Sequence, residues 1–208
     1  RYADGYKQGL VTPSTLRWWN DGYRYAIQTA TGESTTTEET AARLGTPAER
    51  MKRFHRVMAV QYLLVGGTIA DPELELVDDY AVRLYRYRTP HPRAWLVGSA
   101  LTLHDPPAQL EAIKQRGFDP YRLAVVDSEV KLPTAPGSPG TACVVAEDNL
   151  RVTVHTDASR DALLVLADAW YPGWRVTVDG RPAPLLRANF CARAVAVPAG
   201  RHEVVFRF

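Results

Sequence analysis

Apolar residues recur at the spacing of an amphipathic helix from Met51 to Met58, which predicts a helix with one buried face. The preceding stretch, Thr46-Pro47-Ala48-Glu49, has the pattern of a capping box with proline at the first helical position. Start and stop signals of the same kind predict two further helices. These helices run from Thr36 to Gly45 and from Asp105 to Gly117.

The pattern changes after Met58 to short runs that are rich in β-branched and aromatic residues. The runs are YLLVGGTI, LELVDD, YAVRLYRYR, RAWLVGSALTL and RLAVVD. Turn residues such as Gly66-Gly67 and Asp78-Asp79 separate them. Together with the helices, these runs predict an α+β fold for the first two thirds of the chain.

Residues 133–140, PTAPGSPG, interrupt every periodic pattern, because five of the eight are proline or glycine. This composition is typical of a linker. We therefore predict an α+β N-terminal lobe at residues 1–135, a linker at 133–140 and a second domain at 140–208.

All the segments after the linker have the pattern of β-strands. ACVVAED, LRVTVHT, ALLVLAD, WRVTVDG, APLLRANFCARAVAVP and HEVVFRF are apolar or alternating runs, and turn residues separate them. Asp179-Gly180 is the strongest hairpin signal among these turns. Six short strands with this spacing predict an all-β antiparallel sandwich of the jelly-roll or immunoglobulin-like kind.

The charge of the chain argues against nucleic acid as a partner. The formal net charge is +2 at pH 7, and no block of Lys and Arg forms the basic stripe of a nucleic-acid-binding protein. No apolar run approaches the roughly 18 residues that a membrane span needs. The chain opens on Arg1 without a signal-peptide pattern, and we expect it to be a piece of a longer protein.

Cys143 and Cys191 leave two interpretations open. A disulfide between them would fit an extracytoplasmic location, whereas two buried thiols would serve as small apolar side chains. Neither cysteine has a partner at metal-ligand spacing and the five histidines are scattered, so we expect no metal site and no cofactor. Motifs for a nucleophile, a phosphate loop or a dinucleotide are also missing, so we expect no catalysis by this chain alone.

The stretch DAWYPGWRVTVDG crowds three aromatic residues around a Pro-Gly turn, and two interpretations of it stay open. In the first, stacking rings and polar donors form a sugar-binding platform. The candidate binding residues are Trp170, Tyr171, Trp174, Arg187 and Asn189. In the second, the rings cover the open end of the sandwich core, and Arg187 forms hydrogen bonds with turn carbonyls.

The run LLVLADAWYPGWRVTVDGRPAPLLRANFCARAVAVPAGRHEVVFRF contains Y-P-G-W, V-D-G, R-A-V, V-P-A-G and H-x-V-x-F in order. It resembles the C-terminal extracytoplasmic segment of YfhO-type bacterial membrane proteins. VMAVQYLLVGG, LELVDDYAVRLYRYRTPHPRAWLVG and FDPYRLAVVD also fit that family, so the resemblance covers about residues 55–208. Cys191 stands where the family more often has a plain apolar or aromatic residue, so the resemblance does not support a disulfide.

The resemblance implies a role at the cell envelope. YfhO-type proteins are polytopic membrane proteins similar to GT-C-type glycosyltransferases, which use lipid-linked sugars to modify cell-envelope polymers. Their catalytic carboxylate lies on a loop between transmembrane helices near the N-terminus. The resemblance therefore implies a non-catalytic accessory domain on the extracytoplasmic side of the cell membrane. Its expected partners are the transmembrane part of the same polypeptide and an envelope glycan or lipid-linked sugar. The alternative is a free-standing carbohydrate-binding or protein-interaction module.

Overall fold

The computed structural model describes residues 42–133 and 137–208, in which β-strand is the dominant secondary structure. Helix α1 spans Pro47–Val57, and helix α2 spans Pro106–Lys114. The strands before the predicted linker are β1 (Tyr62–Val65), β2 (Leu74–Asp79), β3 (Arg83–Tyr87), β4 (Ala94–Val97), β5 (Ala100–Thr102) and β6 (Ala124–Val126). The strands after it are β7 (Gly140–Glu147), β8 (Arg151–Ala158), β9 (Ala162–Ala169), β10 (Arg175–Val178), β11 (Arg181–Ala183), β12 (Leu186–Ala188), β13 (Ala192–Val197) and β14 (Gly200–Arg207).

Both helices begin at the capping residues that the sequence predicts. The Thr46 hydroxyl accepts a hydrogen bond from the Glu49 backbone N–H at 3.2 Å, and the Glu49 carboxylate accepts one from the Thr46 N–H at 2.7 Å. At α2, the Asp105 carboxylate accepts from the Ala108 N–H at 3.1 Å. This helix ends at Lys114, before the predicted stop at Gly117. The start of the helix predicted from Thr36 lies outside the described residues.

The strands form three sheets. An antiparallel sheet of three strands has the order β1-β3-β2, and an antiparallel sheet of five has the order β11-β10-β14-β8-β7. The third sheet has six strands in the order β4-β9-β13-β12-β6-β5, and its β5–β6 pair is parallel. The fold is thus β-rich, with antiparallel and mixed sheets.

Residues 140–208 form eight strands where the sequence predicts six. One additional strand arises because Asp179 and Gly180 both have positive φ, +49° and +76°, and reverse the chain into β11. The other arises because Asn189 and Phe190, with φ of +48° and +74°, divide one predicted run into β12 and β13. The predicted hairpin at Asp179-Gly180 is therefore confirmed.

The five-stranded and six-stranded sheets share one hydrophobic cluster. Its buried members come from β4, β9 and β13 on one side and from β8, β10 and β14 on the other, and Phe206 of β14 is fully buried. Burying a Val, Leu or Phe side chain stabilises a fold by about 1.5–3 kcal/mol. Packing between these two sheets is therefore the main source of stability in this part of the chain.

The six-stranded sheet joins strands from both sides of the predicted linker. Strand β4 pairs with β9, and β6 pairs with β12, so hydrogen bonds connect residues on the two sides of 133–140. The segment 140–208 is thus not a closed set of paired strands. The division into two domains at 133–140 stays a prediction, and any such domains would share this sheet.

Candidate functional site

The aromatic stretch after β9 carries the chain from the six-stranded sheet to the five-stranded sheet. Strand β9 already has β4 and β13 as neighbours, so β10 cannot pair with it and joins β14 instead. The crossing needs Gly173, whose φ is +109°. A Cβ at this position would lie 2.5 Å from a ring carbon of Phe208. The Pro-Gly turn therefore links two sheets rather than two paired strands.

Phe208 gathers the rings of this crossing into one cluster. Its ring centroid lies 5.4 Å from that of Tyr171 and 5.7 Å from that of Trp174, both in tilted arrangements. Trp174 also packs against the hydrophobic core between the two sheets. We call Trp170, Tyr171, Trp174 and Phe208 the aromatic cluster. Trp174 covers one end of the shared core, Trp170 and Tyr171 are partly exposed, and Phe208 is exposed.

Two arginines lie over the indole rings of the cluster. The guanidinium carbon of Arg187 is 5.6 Å from the centre of the Trp170 ring, and that of Arg193 is 3.4 Å from the centre of the Trp174 ring. Arg187 is also held by Asp127, whose carboxylate lies 3.9 Å from its Nε. One face of each of these two indole rings is therefore covered by an arginine side chain of the same protein.

Arg193 is part of a chain of ion pairs. Its Nε donates to the Ala169 carbonyl at 3.0 Å, and its Nη1 lies 3.6 Å from Asp168. Arg93 donates from Nε and Nη2 to the two carboxylate oxygens of Asp168, at 3.0 Å each, and also pairs with Glu147. The end of the two sheets thus combines stacked rings with fixed charges.

Asn189 binds the backbone of β6. It is fully buried, its side-chain oxygen accepts a hydrogen bond from the Val125 N–H at 2.9 Å, and its own N–H donates to the Val125 carbonyl at 2.6 Å. These bonds fix the turn after β12 against β6. The structure therefore connects Asn189 with the core of the six-stranded sheet.

The candidate residues predicted from the sequence thus fall into three groups. Arg187 lies over Trp170, Tyr171 and Trp174 each contact Phe208, and Asn189 is buried against β6. The sequence analysis missed Phe208 and the charged residues around Asp168. Arg93 could not be found from spacing, since it lies 75 residues before Asp168 in the chain.

A second polar cluster, also missed by the sequence analysis, is buried beneath α1. His55 Nδ1 lies 2.7 Å from the Tyr87 hydroxyl, the His91 ring stacks on Tyr87, and the Tyr121 hydroxyl lies 3.3 Å from His91 Nδ1. Burial lowers the pKa of His55 to about 4 and raises the pKa values of Tyr87 and Tyr121 to about 12. These three groups are therefore neutral near pH 7, and the contact between His55 and Tyr87 joins α1 to β3.

Both cysteines are free thiols. Cys143 is exposed, and the Cys191 Sγ lies 3.4 Å from the Met58 Sδ. Burial raises the pKa of the Cys191 thiol to about 12, which disfavours the reactive thiolate. The disulfide interpretation is therefore wrong in this structure, and the interpretation as two buried thiols is wrong for Cys143.

The described residues contain no group of three or more His, Cys, Asp or Glu side chains that could hold a metal ion. Neither α1 nor α2 has the length and apolar character of a membrane-spanning helix. Comparisons of the chain with protein-family models, with curated proteins and with solved structures find no significant match.

Proposed function

We propose that this chain is the extracytoplasmic accessory region of a polytopic, glycosyltransferase-like membrane protein of the YfhO type. In this proposal the transmembrane part of the same polypeptide carries the catalytic carboxylate. The present region holds an envelope glycan or a lipid-linked sugar near that site and is not catalytic by itself. The run from Tyr171 to Phe208, with its Y-P-G-W and V-P-A-G motifs, supports the family assignment.

We further propose that the five-stranded and six-stranded sheets form a β-sandwich of the immunoglobulin-like or jelly-roll kind. The shared hydrophobic cluster supports this proposal, because residues of both sheets are buried in it. The strands that precede residue 133 would then complete one sheet of the sandwich as well as forming an α+β lobe.

The observation that carries the binding role is the partly exposed aromatic cluster at one end of these sheets. Aromatic rings stack on the apolar faces of sugars, and nearby charged groups orient the hydroxyls. Tyr171 is partly exposed, and the adjoining Pro172 and Gly173 are exposed, so this loop is accessible to a ligand. Arg193 lies 3.4 Å from the centre of the Trp174 ring and Arg187 lies 5.6 Å from that of the Trp170 ring. Tyr171 is therefore the best candidate for stacking, followed by the less closely covered Trp170.

Isothermal titration of the purified chain with envelope glycan fragments, and with a soluble analogue of a polyprenyl-phosphate sugar, tests this function. We expect Tyr171→Ala and Trp170→Ala to weaken binding by about three- to tenfold each, the range for a lost aromatic contact. Tyr80→Ala is the matched control, since Tyr80 is 83% exposed and directly follows β2 of the three-stranded sheet. Equal binding by all variants, or no binding by the parent chain, would argue against the proposed function.

A further inference from the structure

Three arginines lie side by side across the five-stranded sheet. Arg207 of β14 is directly opposite Arg175 of β10 on one side and Arg151 of β8 on the other. Directly opposed residues in antiparallel strands point to the same face of the sheet, with about 4.8 Å between neighbouring strands. We call Arg151, Arg175 and Arg207 the arginine row.

The arginine row faces away from the core. The neighbouring residues Val152, Val176 and Phe206 are buried in the hydrophobic cluster, and side chains alternate between the two faces of a strand. All three arginines are accordingly exposed. The row is therefore available to a partner outside the protein.

No carboxylate of the described residues lies within 4.0 Å of the charged nitrogens of the row. This differs from most other arginines that the structure describes, such as Arg93 and Arg201, which form ion pairs. Like charges directly opposite each other in a sheet are unfavourable for folding. Three unpaired cations in this arrangement thus indicate an anionic partner.

Exposed apolar side chains lie at the same end of the strands. Leu150 precedes Arg151 and is 56% exposed, and Phe208 follows Arg207 and is 48% exposed. The two are adjacent, because the Phe208 N–H donates to the Leu150 carbonyl at 2.9 Å. Tyr171 packs on Phe208 and extends this group of apolar side chains. These apolar side chains lie at the same strand ends as the arginine row, and by the alternation of side chains Leu150 and Phe208 point to the opposite side of the sheet from it.

We propose that this end of the five-stranded sheet binds the surface of an anionic phospholipid membrane. Guanidinium groups bind lipid phosphates, while aromatic and aliphatic tips enter the boundary between headgroups and acyl chains. A soluble phosphate would use the row but leave Leu150 and Phe208 exposed to water. The membrane surface uses both features. This inference goes beyond the proposed function, which does not say which face of the region meets the bilayer.

Vesicle sedimentation of the purified chain tests the proposal. We expect binding to vesicles of phosphatidylcholine and phosphatidylglycerol, weaker binding to phosphatidylcholine alone, and loss of binding at high salt. The variant with Arg151→Gln, Arg175→Gln and Arg207→Gln should bind the anionic vesicles about a hundredfold more weakly, since each basic residue near such a surface contributes about fivefold. Its melting temperature should not fall, because unfavourable charge pairs are removed.

A variant with the same change in net charge is the matched control. Arg122→Gln, Lys131→Gln and Arg181→Gln replace three exposed cations outside the row, and this variant should bind like the parent chain. Leu150→Ser should weaken binding several-fold, because its side chain no longer enters the interface.

Three results would overturn the proposal. The first is equal binding to neutral and anionic vesicles, and the second is an equal loss in the control variant. The third is release by millimolar inorganic phosphate at constant ionic strength together with no effect of Leu150→Ser, which would assign the row to soluble phosphate. None of these results touches the glycan titration, whose variants Tyr171→Ala and Trp170→Ala lie outside the arginine row.

Discussion

Individual polar side chains in this protein are held by partners from distant parts of the chain. Asn189 binds the backbone of Val125 and His55 binds Tyr87, and both pairs are buried. A buried polar group is costly when its hydrogen bond is lost, so such pairs determine how elements fit together. Because burial also disfavours charge, His55 links folding to pH.

The stability of the chain should fall as the pH drops from about 6.5 to about 4. Burial, followed by the nearby His91, lowers the pKa of His55 from its ordinary value of 6.5 to about 4 in the folded state. The unfolded chain therefore binds a proton in this range before the folded chain does, and acidification favours unfolding. The full contribution of neutral His55 to the free energy of unfolding is present above about pH 6.5. Up to about 3 kcal/mol of it is lost by pH 4.

Urea unfolding at a series of pH values measures this effect. His55→Gln should be less stable at pH 7 but should show a shallower dependence on pH than the parent chain. His155→Gln changes an exposed histidine and serves as the control. If the parent chain and His55→Gln had the same slope between pH 6.5 and 4, the assignment to His55 would be wrong.

At the level of elements, the crossing from β9 to β10 needs both a residue with positive φ and close packing of a ring against it. Gly173 supplies a positive φ, and Phe208 closes over it. Trp174 then packs on the core and begins the path into β10. The crossing is therefore a structural corner, whatever its outer rings bind.

Gly173→Ala should destabilise the protein by about 2 kcal/mol or more, because the new methyl group disfavours the positive φ and overlaps the Phe208 ring. Gly117→Ala is the control, since a Cβ there meets nothing within 4 Å. Its effect should stay within about 0.5 kcal/mol. Chemical denaturation of both variants measures the difference, and similar values for the two would contradict the role given to Gly173.

Local sequence signals predicted where helices and turns lie better than they predicted which strands pair with each other. The capping residues Thr46 and Asp105 and the turn at Asp179-Gly180 act through nearby atoms, so the sequence pattern reveals them. Pairing across sheets depends on contacts far apart in the chain, and strand patterns carry little information about it. The candidate site follows the same rule. The adjacent rings at Trp170 and Tyr171 were evident from the sequence, whereas Arg93, which is distant in the chain, was not.

At the level of the whole molecule, the sheets connect the two parts of the chain that the linker composition separates. Strands β4, β5 and β6 precede residue 133, and they lie in the same sheet as β9, β12 and β13. Without β4, the edge of β9 and its fully buried residues Leu163 to Leu166 would lose their neighbour. Residues before the linker therefore contribute to the core that follows it.

A fragment of residues 137–208 should not fold cooperatively by itself, although it contains β7 to β14. It lacks β4 and β6, so it exposes apolar surface and unpaired strand edges, and we expect an unfolded or aggregating species. Thermal melting and NMR spectra of the fragment and of the full chain measure this. A dispersed spectrum with a sharp melt for the fragment would instead support two independent domains divided at 133–140.

The central proposal is that this region stands outside the cell membrane, attached to a membrane-embedded transferase. The most direct measurement is fractionation of cells that make the full-length protein, followed by protease treatment of intact spheroplasts and detection of this region. We expect the protein to sediment with membranes and the region to be digested from outside, while a cytoplasmic marker stays intact. Recovery of the full-length protein in the soluble fraction, or protection of the region until the membrane is lysed, would contradict the account.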